Sequence, residues 1–106
     1  MKAFYCDTFV LPLPEGHRFP MAKYRRLRER LVAEGVLAES DLAVPDPVGW
    51  NDLCLAHDAG YVERVSTGSL PADLQRKIGF PWSPQMVERA RRSVGATLAA
   101  AREVIG

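Results

Sequence analysis

The residues of this chain whose types could carry chemistry are few: His17, His57, Cys6 and Cys54, the cations Lys23, Arg25, Arg26, Arg28 and Arg30, and the aromatics Phe80 and Trp82. A metal site needs three or four convergent ligands. His57 stands beside Asp58, but adjacent residues on a helix point in different directions, so the pair reads as a cap or structural element rather than as two ligands. Neither cysteine has a histidine close in sequence, and there is no Gly-x-Ser-x-Gly elbow and no glycine-rich phosphate loop. Motifs alone therefore give no active site.

The basic run admits three readings. Its cations could bind phosphates, or occupy the solvated face of a helix whose other face, Met21, Tyr24, Leu27 and Leu31, is buried. One arginine could instead turn inward, which requires a carboxylate, a carbonyl or a water-lined channel to meet it. With a net charge of +1, the basic block is a local feature, and the overall charge argues against nucleic acid as a partner. The "GFPWSP" stretch is either a hydrophobic staple in front of a helix or the wall of an apolar pocket.

The elements that must position these groups can be read in order. Aromatic and branched residues from Phe4 to Val10 predict a strand beginning at residue 2 or 3, and Pro12, Pro14 and Gly16 break it into a loop. Pro20 is placed as the first helical residue and Gly35 as the stop. "ESDLAVPDPVGW" carries turn residues on either side of "LAV" and reads as a loop containing at most a short buried strand. Asn51 and Asp58 are candidate caps of two short helices, the second ending at Gly68, and "ADLQRKIG" predicts another. Ser83 and Pro84 open the longest helix, with Met86, Ala90, Val94, Leu98, Ala101 and Ile105 as its apolar stripe.

A strand or two among several helices, with no hairpin, predicts the front of an α/β domain built on a parallel sheet. At 106 residues, 47% hydrophobic and 25% charged, the chain has room for one domain with a modest core. The two cysteines match no zinc spacing, and no signal peptide or membrane-length apolar run accompanies them; reduced thiols in a cytoplasmic protein are expected, with no membrane partner.

The runs "GHRFPMAKYRRLRERLVAEG", "DPVGWNDLCLAHDAGYVERVSTGSL" and "IGFPWSPQMVERARRSVGATLAAAREV", in this order, resemble the N-terminal part of the histone deacetylase superfamily, closest to its bacterial deacetylase-like and acetylpolyamine amidohydrolase members. The resemblance spans residues 3–105. It implies a three-layer arginase/deacetylase-type α/β/α fold, mostly helical here with one or two short parallel strands, and treats residues 1–106 as a single incomplete segment of such a domain. It also implies the family chemistry, in which zinc and a general-base histidine activate water against the carbonyl of an acetylated lysine or polyamine.

The family's catalytic histidines and its zinc ligands lie downstream of the last helix, so the resemblance carries no catalytic or metal residue onto this chain. The expectation is a fragment, whether truncated, proteolytic or from a split gene, that is inactive alone and holds no cofactor, with zinc belonging to the full-length enzyme. Arg25, following "PM", matches the position of the family arginine that lines an internal channel. Near "GFPW", where many members carry an acidic rim residue, Gly79 or Phe80 stands instead; this argues against peptide-type substrates and leaves Phe80 and Trp82 as pocket-wall candidates. Uncovered strand edges and helix faces predict self-association, or association with the remainder of the deacetylase domain. The alternative function is a stand-alone interaction module without catalysis.

Overall fold

In the computed structural model, which describes residues 2–105, a two-residue strand β1 (Ala3–Phe4) runs parallel to β2 (Leu42–Ala43), with Ala3 opposite Leu42 and Phe4 opposite Ala43. The Tyr5 N–H continues the ladder by donating to the Ala43 carbonyl at 3.0 Å. Parallel neighbours need a crossover, supplied here by α1 (Lys23–Ala33) and the short 3-10 turn Glu39–Asp41. The strand is shorter than the apolar run that predicts it. Beyond Tyr5 the chain curls into a turn in which Phe9 N–H donates to the Cys6 carbonyl at 3.1 Å, so the backbone leaves the sheet.

Local signals set most helix boundaries. Lys23 N–H donates to the Pro20 carbonyl at 3.0 Å, so Pro20 heads a turn and the helix starts at Lys23 rather than at the proline. At the other end Gly35 adopts φ 73°, with Gly35 N–H donating to Val32 O and Val36 N–H to Leu31 O, a complete Schellman closure. Next come α2 (Trp50–Ala56), which starts from Gly49 rather than from an Asn51 cap, and α3 (Ala59–Thr67). Asp58 does cap α3, its Oδ1 accepting from Tyr61 N–H at 3.1 Å. The helices α4 (Ala72–Ile78) and α5 (Pro84–Ile105) follow, and Ser83 Oγ accepts from Met86 N–H at 3.0 Å to cap α5.

The long helix α5 is the spine, packing on β1 and α3. Residues 45–48 lie directly along it. Val48 N–H donates to the Arg91 carbonyl, Arg91 Nε donates to the Val48 carbonyl, and Arg92 Nη1 donates to the Pro45 carbonyl at 2.7 Å. Gly95 makes this approach possible, because a Cβ there would collide with the Asp46 carbonyl oxygen.

The architecture is the expected mostly helical α/β arrangement with two short parallel strands, but it is thin. Its extents are 45 × 38 × 17 Å and its radius of gyration is 15.5 Å, against about 13 Å for a globule of this length. The accessible surface is 7394 Å², whereas a folded monomer of this mass exposes about 5,900 Å². Among the described residues, Leu11, Leu37, Val48, Val62 and Met86 form the buried hydrophobic core, and Pro45 is fully buried. The stripes read from the sequence exist, but much of their length has nothing packed on it: Leu27 is 59% exposed and Ile105 86%. No helix among the described residues is long and apolar enough to cross a membrane.

Candidate functional site

The loop between β1 and α1 is held by three arginines, one from α1 and two from α5. Arg28, on α1, donates from Nε to Asp7 Oδ1 at 2.8 Å and from Nη2 to Oδ2 at 3.0 Å, a bidentate pair. The Asp7 side chain is 5% exposed and that of Arg28 26%. The hydrogen-bonded Arg28 guanidinium holds the Asp7 carboxyl below the usual carboxylate range, against the opposing effect of burial. From α5, Arg89 Nη1 donates to the carbonyls of Cys6 and Phe9, both at 3.1 Å, and the Arg92 guanidinium lies 4.5 Å from the centre of the Phe9 ring. These donors satisfy carbonyls that the curled loop has taken out of the sheet.

Further along the same loop, His17 joins it to the turn between α4 and α5. Its Nδ1 accepts from Phe19 N–H at 3.1 Å, and its Nε2 lies 3.1 Å from the Gly79 carbonyl. A backbone N–H can only donate and a carbonyl can only accept, so these partners select the neutral imidazole with its proton on Nε2. Both ring nitrogens are thereby engaged within the fold. The His17 ring stacks on Phe80 at 5.8 Å, and Phe19 meets Phe80 edge-on at 5.1 Å. Gly79, at φ 88°, turns the chain there, and Gln75 Nε2 donates to the Phe80 carbonyl at 2.8 Å.

This aromatic latch walls a cavity of about 470 Å³, lined on its apolar side by Leu11, Phe19, Met21, Phe80 and Met86. A second cavity, of about 260 Å³, lies against β1 and α1, and Tyr24, Arg89 and Ser93 border both. Arg89 is stacked 4.6 Å from the Tyr24 ring centre. The Tyr24–Arg89 pair is therefore the partition between the two spaces, a cation placed among apolar walls and paid for by two carbonyls and a ring face.

The three residues singled out in the sequence go to different places. Phe80 lines the larger cavity. Trp82 lines neither; its indole N–H donates to the Val65 carbonyl at 2.6 Å and its ring lies against Gly68. Arg25 projects from the outer face of α1, 58% exposed, with Nε 3.6 Å from Glu29 Oε1. The arginines that turn inward are Arg28 on α1 and Arg89, Arg91 and Arg92 on α5. Arg89 carries a faint sequence signal, since it stands three residues after the buried Met86 and so borders the apolar stripe of α5. Nothing local marks Arg28, whose partner lies 21 residues away.

His57 is exposed beside Tyr61, and both cysteines are free thiols. Among the described residues no three His, Cys, Asp or Glu side chains come together as a metal site.

Comparison with known proteins gives two findings. The model of the histone deacetylase domain matches residues 17–106. An uncharacterized protein of Picosynechococcus sp. is 38% identical over 98 residues, which is 92% of this chain and 33% of that protein. The chain thus spans about a third of the length of this relative.

Proposed function

Because the chain belongs to the histone deacetylase domain family, we propose that it is the front portion of a zinc-dependent amide hydrolase acting on acetylated lysine or acetylated polyamine type substrates, contributing scaffold rather than the metal. The observation that carries this reading is the conjunction of a family match over residues 17–106 with a slab only 17 Å thick whose parallel strands are only half-buried and whose helices leave large apolar side chains exposed. Parallel sheets occur almost only with both faces covered.

The residues present do not fit the zinc ion of the family reading. Both nitrogens of His17 are committed to backbone partners, and His57 has no carboxylate or thiol cluster around it. No catalytic step is assigned to this chain. Its contribution is geometric: Arg28 fixes the loop after β1 against α1, Arg89 fixes it against α5 and His17 against the turn before α5, and Phe80 and the Tyr24–Arg89 pair shape the space beside that loop.

The test is turnover of an acetyl-lysine reporter and of an acetylated polyamine in the presence of zinc. The isolated chain is expected to give none. The chain joined as one polypeptide to the part of the Picosynechococcus relative that it does not span is expected to hydrolyse one of them. Failure of the joined, folded and zinc-loaded protein to release acetate from either substrate refutes the proposal.

A further inference from the structure

We propose that His17 is a proton-operated latch on the cavity of about 470 Å³, closed by the neutral ring and released by the imidazolium, independently of any hydrolase reading of the chain. The latch joins two segments 62 residues apart. One ring nitrogen accepts from Phe19 N–H and the other meets the Gly79 carbonyl, both at 3.1 Å, while the ring face stacks on Phe80. Phe19 and Phe80 meet edge-on, and both line the cavity. One half-buried ring therefore ties together the two sides of one cavity wall, and water reaches that ring.

The closed arrangement has no place for a second proton. An imidazolium carries an N–H on both nitrogens, so its Nδ1–H would face Phe19 N–H, donor against donor, and the bond that orients the ring would become a repulsion. The surrounding charges act in the same sense. Arg18 follows His17 in the chain, Lys23 lies 4.9 Å from the Phe19 ring centre, Arg76 and Lys77 stand in the last turn of α4 before Gly79, and Arg89 borders the cavity from α5. The acids of the loop are Glu15, two residues away, and Asp7, which Arg28 already holds; α4 adds Asp73 in its first turn. Tyr24 and Tyr61 also line the cavity, and tyrosine titrates far above the histidine range. Once unlatched, the ring is a solvated side chain free to take the proton, so acid draws the equilibrium toward the open form. The Asp7–Arg28 fastening does not share this trigger, since its carboxyl is held below 3.8 and stays ionised while histidines titrate.

The chain has one other histidine, the exposed His57, so the experiment is run in a His57→Gln background. It compares His17 with His17→Phe, which keeps an aromatic ring against Phe80 and loses both nitrogens. Exchange of the Phe19 amide proton, expressed relative to its intrinsic rate at each pH, reads the latch directly. Its protection is expected to fall about tenfold between about pH 7.5 and about pH 5.5, because a free histidine with the ordinary value near 6.5 favours the open form by that factor. No such step is expected in His17→Phe. Over the same interval a soluble, neutral gadolinium chelate should increasingly broaden the methyl signal of Met86, which is buried at the cavity wall, in the His17 protein alone. Protection that stays flat across the interval, or a step that survives in His17→Phe, overturns the proposal. A step in exchange with no change at Met86 overturns it as well, since the latch would then guard no cavity. Should His17→Phe fail to fold, the imidazole nitrogen shifts of the His17 protein decide. The Nε2–H tautomer, giving way to imidazolium together with loss of Phe19 protection, is expected; an Nδ1–H tautomer, or an imidazolium beside a still protected Phe19 amide, refutes the latch.

Discussion

Replacing Arg28 by Met tests the fastening of the loop after β1. The substitution keeps a long apolar stem on α1 but removes both hydrogen bonds to Asp7, whose side chain is 5% exposed. Breaking a fully buried pair from one side costs about 3–5 kcal/mol because the remaining charge is stranded. The Arg28 side chain is itself 26% exposed, so water can follow the departing guanidinium in part, and about 2–3 kcal/mol is expected near pH 7. Asp7→Asn removes the charge instead and should cost about 1–2 kcal/mol. The double variant should be more stable than the sum of the two losses implies, by about 1–2 kcal/mol.

The pH dependence separates this account from simple loss of packing. In the wild type the folded-state Asp7 carboxyl lies below its ordinary 3.8, so its stabilisation is complete above that value and is lost only as pH falls through the lower, folded one. Without Arg28 the largest lowering influence is gone and burial is opposed only by the Asp7 backbone hydrogen bond and by Arg89, so the carboxyl rises relative to the wild type; the variant then binds its proton at higher pH, and the penalty at neutral pH is relieved on acidification. Urea unfolding followed by circular dichroism at about pH 7 and about pH 4.5 should show the gap between wild type and Arg28→Met narrowing at the lower pH. The gap should be insensitive to pH when Asn occupies position 7. A penalty of under about 0.5 kcal/mol at neutral pH, or one that does not shrink with acid, refutes the reasoning.

Two further substitutions probe the close approaches around α5 and α3. Gly95→Ala should raise helix propensity by about 1 kcal/mol yet lower the net stability by at least about 2 kcal/mol, because its methyl group meets the Asp46 carbonyl oxygen; a rise in Tm would show that residues 45–48 do not lie on the helix backbone. Trp82→Phe should cost about 1 kcal/mol by leaving the Val65 carbonyl without its indole donor. Gly68→Ala should cost more, since the residue has φ 74° and its Cβ would come within 2.8 Å of the Trp82 ring. Thermal melts that reverse the order of Trp82→Phe and Gly68→Ala would refute this contact.

What could be read from the sequence was local. Asp58, Ser83, Gly35 and Gly68 mark helix ends because each acts on backbone groups within a few residues, and all four do so in the structure. The span of α5 is legible for the same reason, and so is a short strand at "LAV", although it covers only Leu42–Ala43, is half-buried rather than buried, and leaves Val44 exposed. The first strand was overextended because its composition is apolar, whereas its geometry is decided by Arg89, some 80 residues away, which captures the Cys6 and Phe9 carbonyls. The His17 latch to Gly79 spans 62 residues and left no trace in spacing. Burial of the apolar stripes was overestimated in the same way: periodicity states which face can be covered, and Leu27 and Ile105 show that it does not state whether a cover is present.

That distinction also explains how so thin a body is ordered at all. Five buried hydrophobic side chains and Pro45 are a small core for 104 described residues, and the loops are secured instead by guanidinium groups reaching across the slab. Arg28 meets a carboxylate, Arg89 two carbonyls and a tyrosine face, Arg91 a carbonyl and a tryptophan, and Arg92 a carbonyl, a carboxylate and a phenylalanine. Planar five-donor groups can fix irregular backbone where a sheet ladder is unavailable, while their weakly hydrated faces pack on rings. They hold the first strand, the loop after it and residues 45–48 in register on α5, without closing the outer faces of the helices. A segment organised in this way has its internal geometry set by polar contacts that need no further cover, while apolar side chains such as Leu27, Leu55 and Ile105 stay exposed.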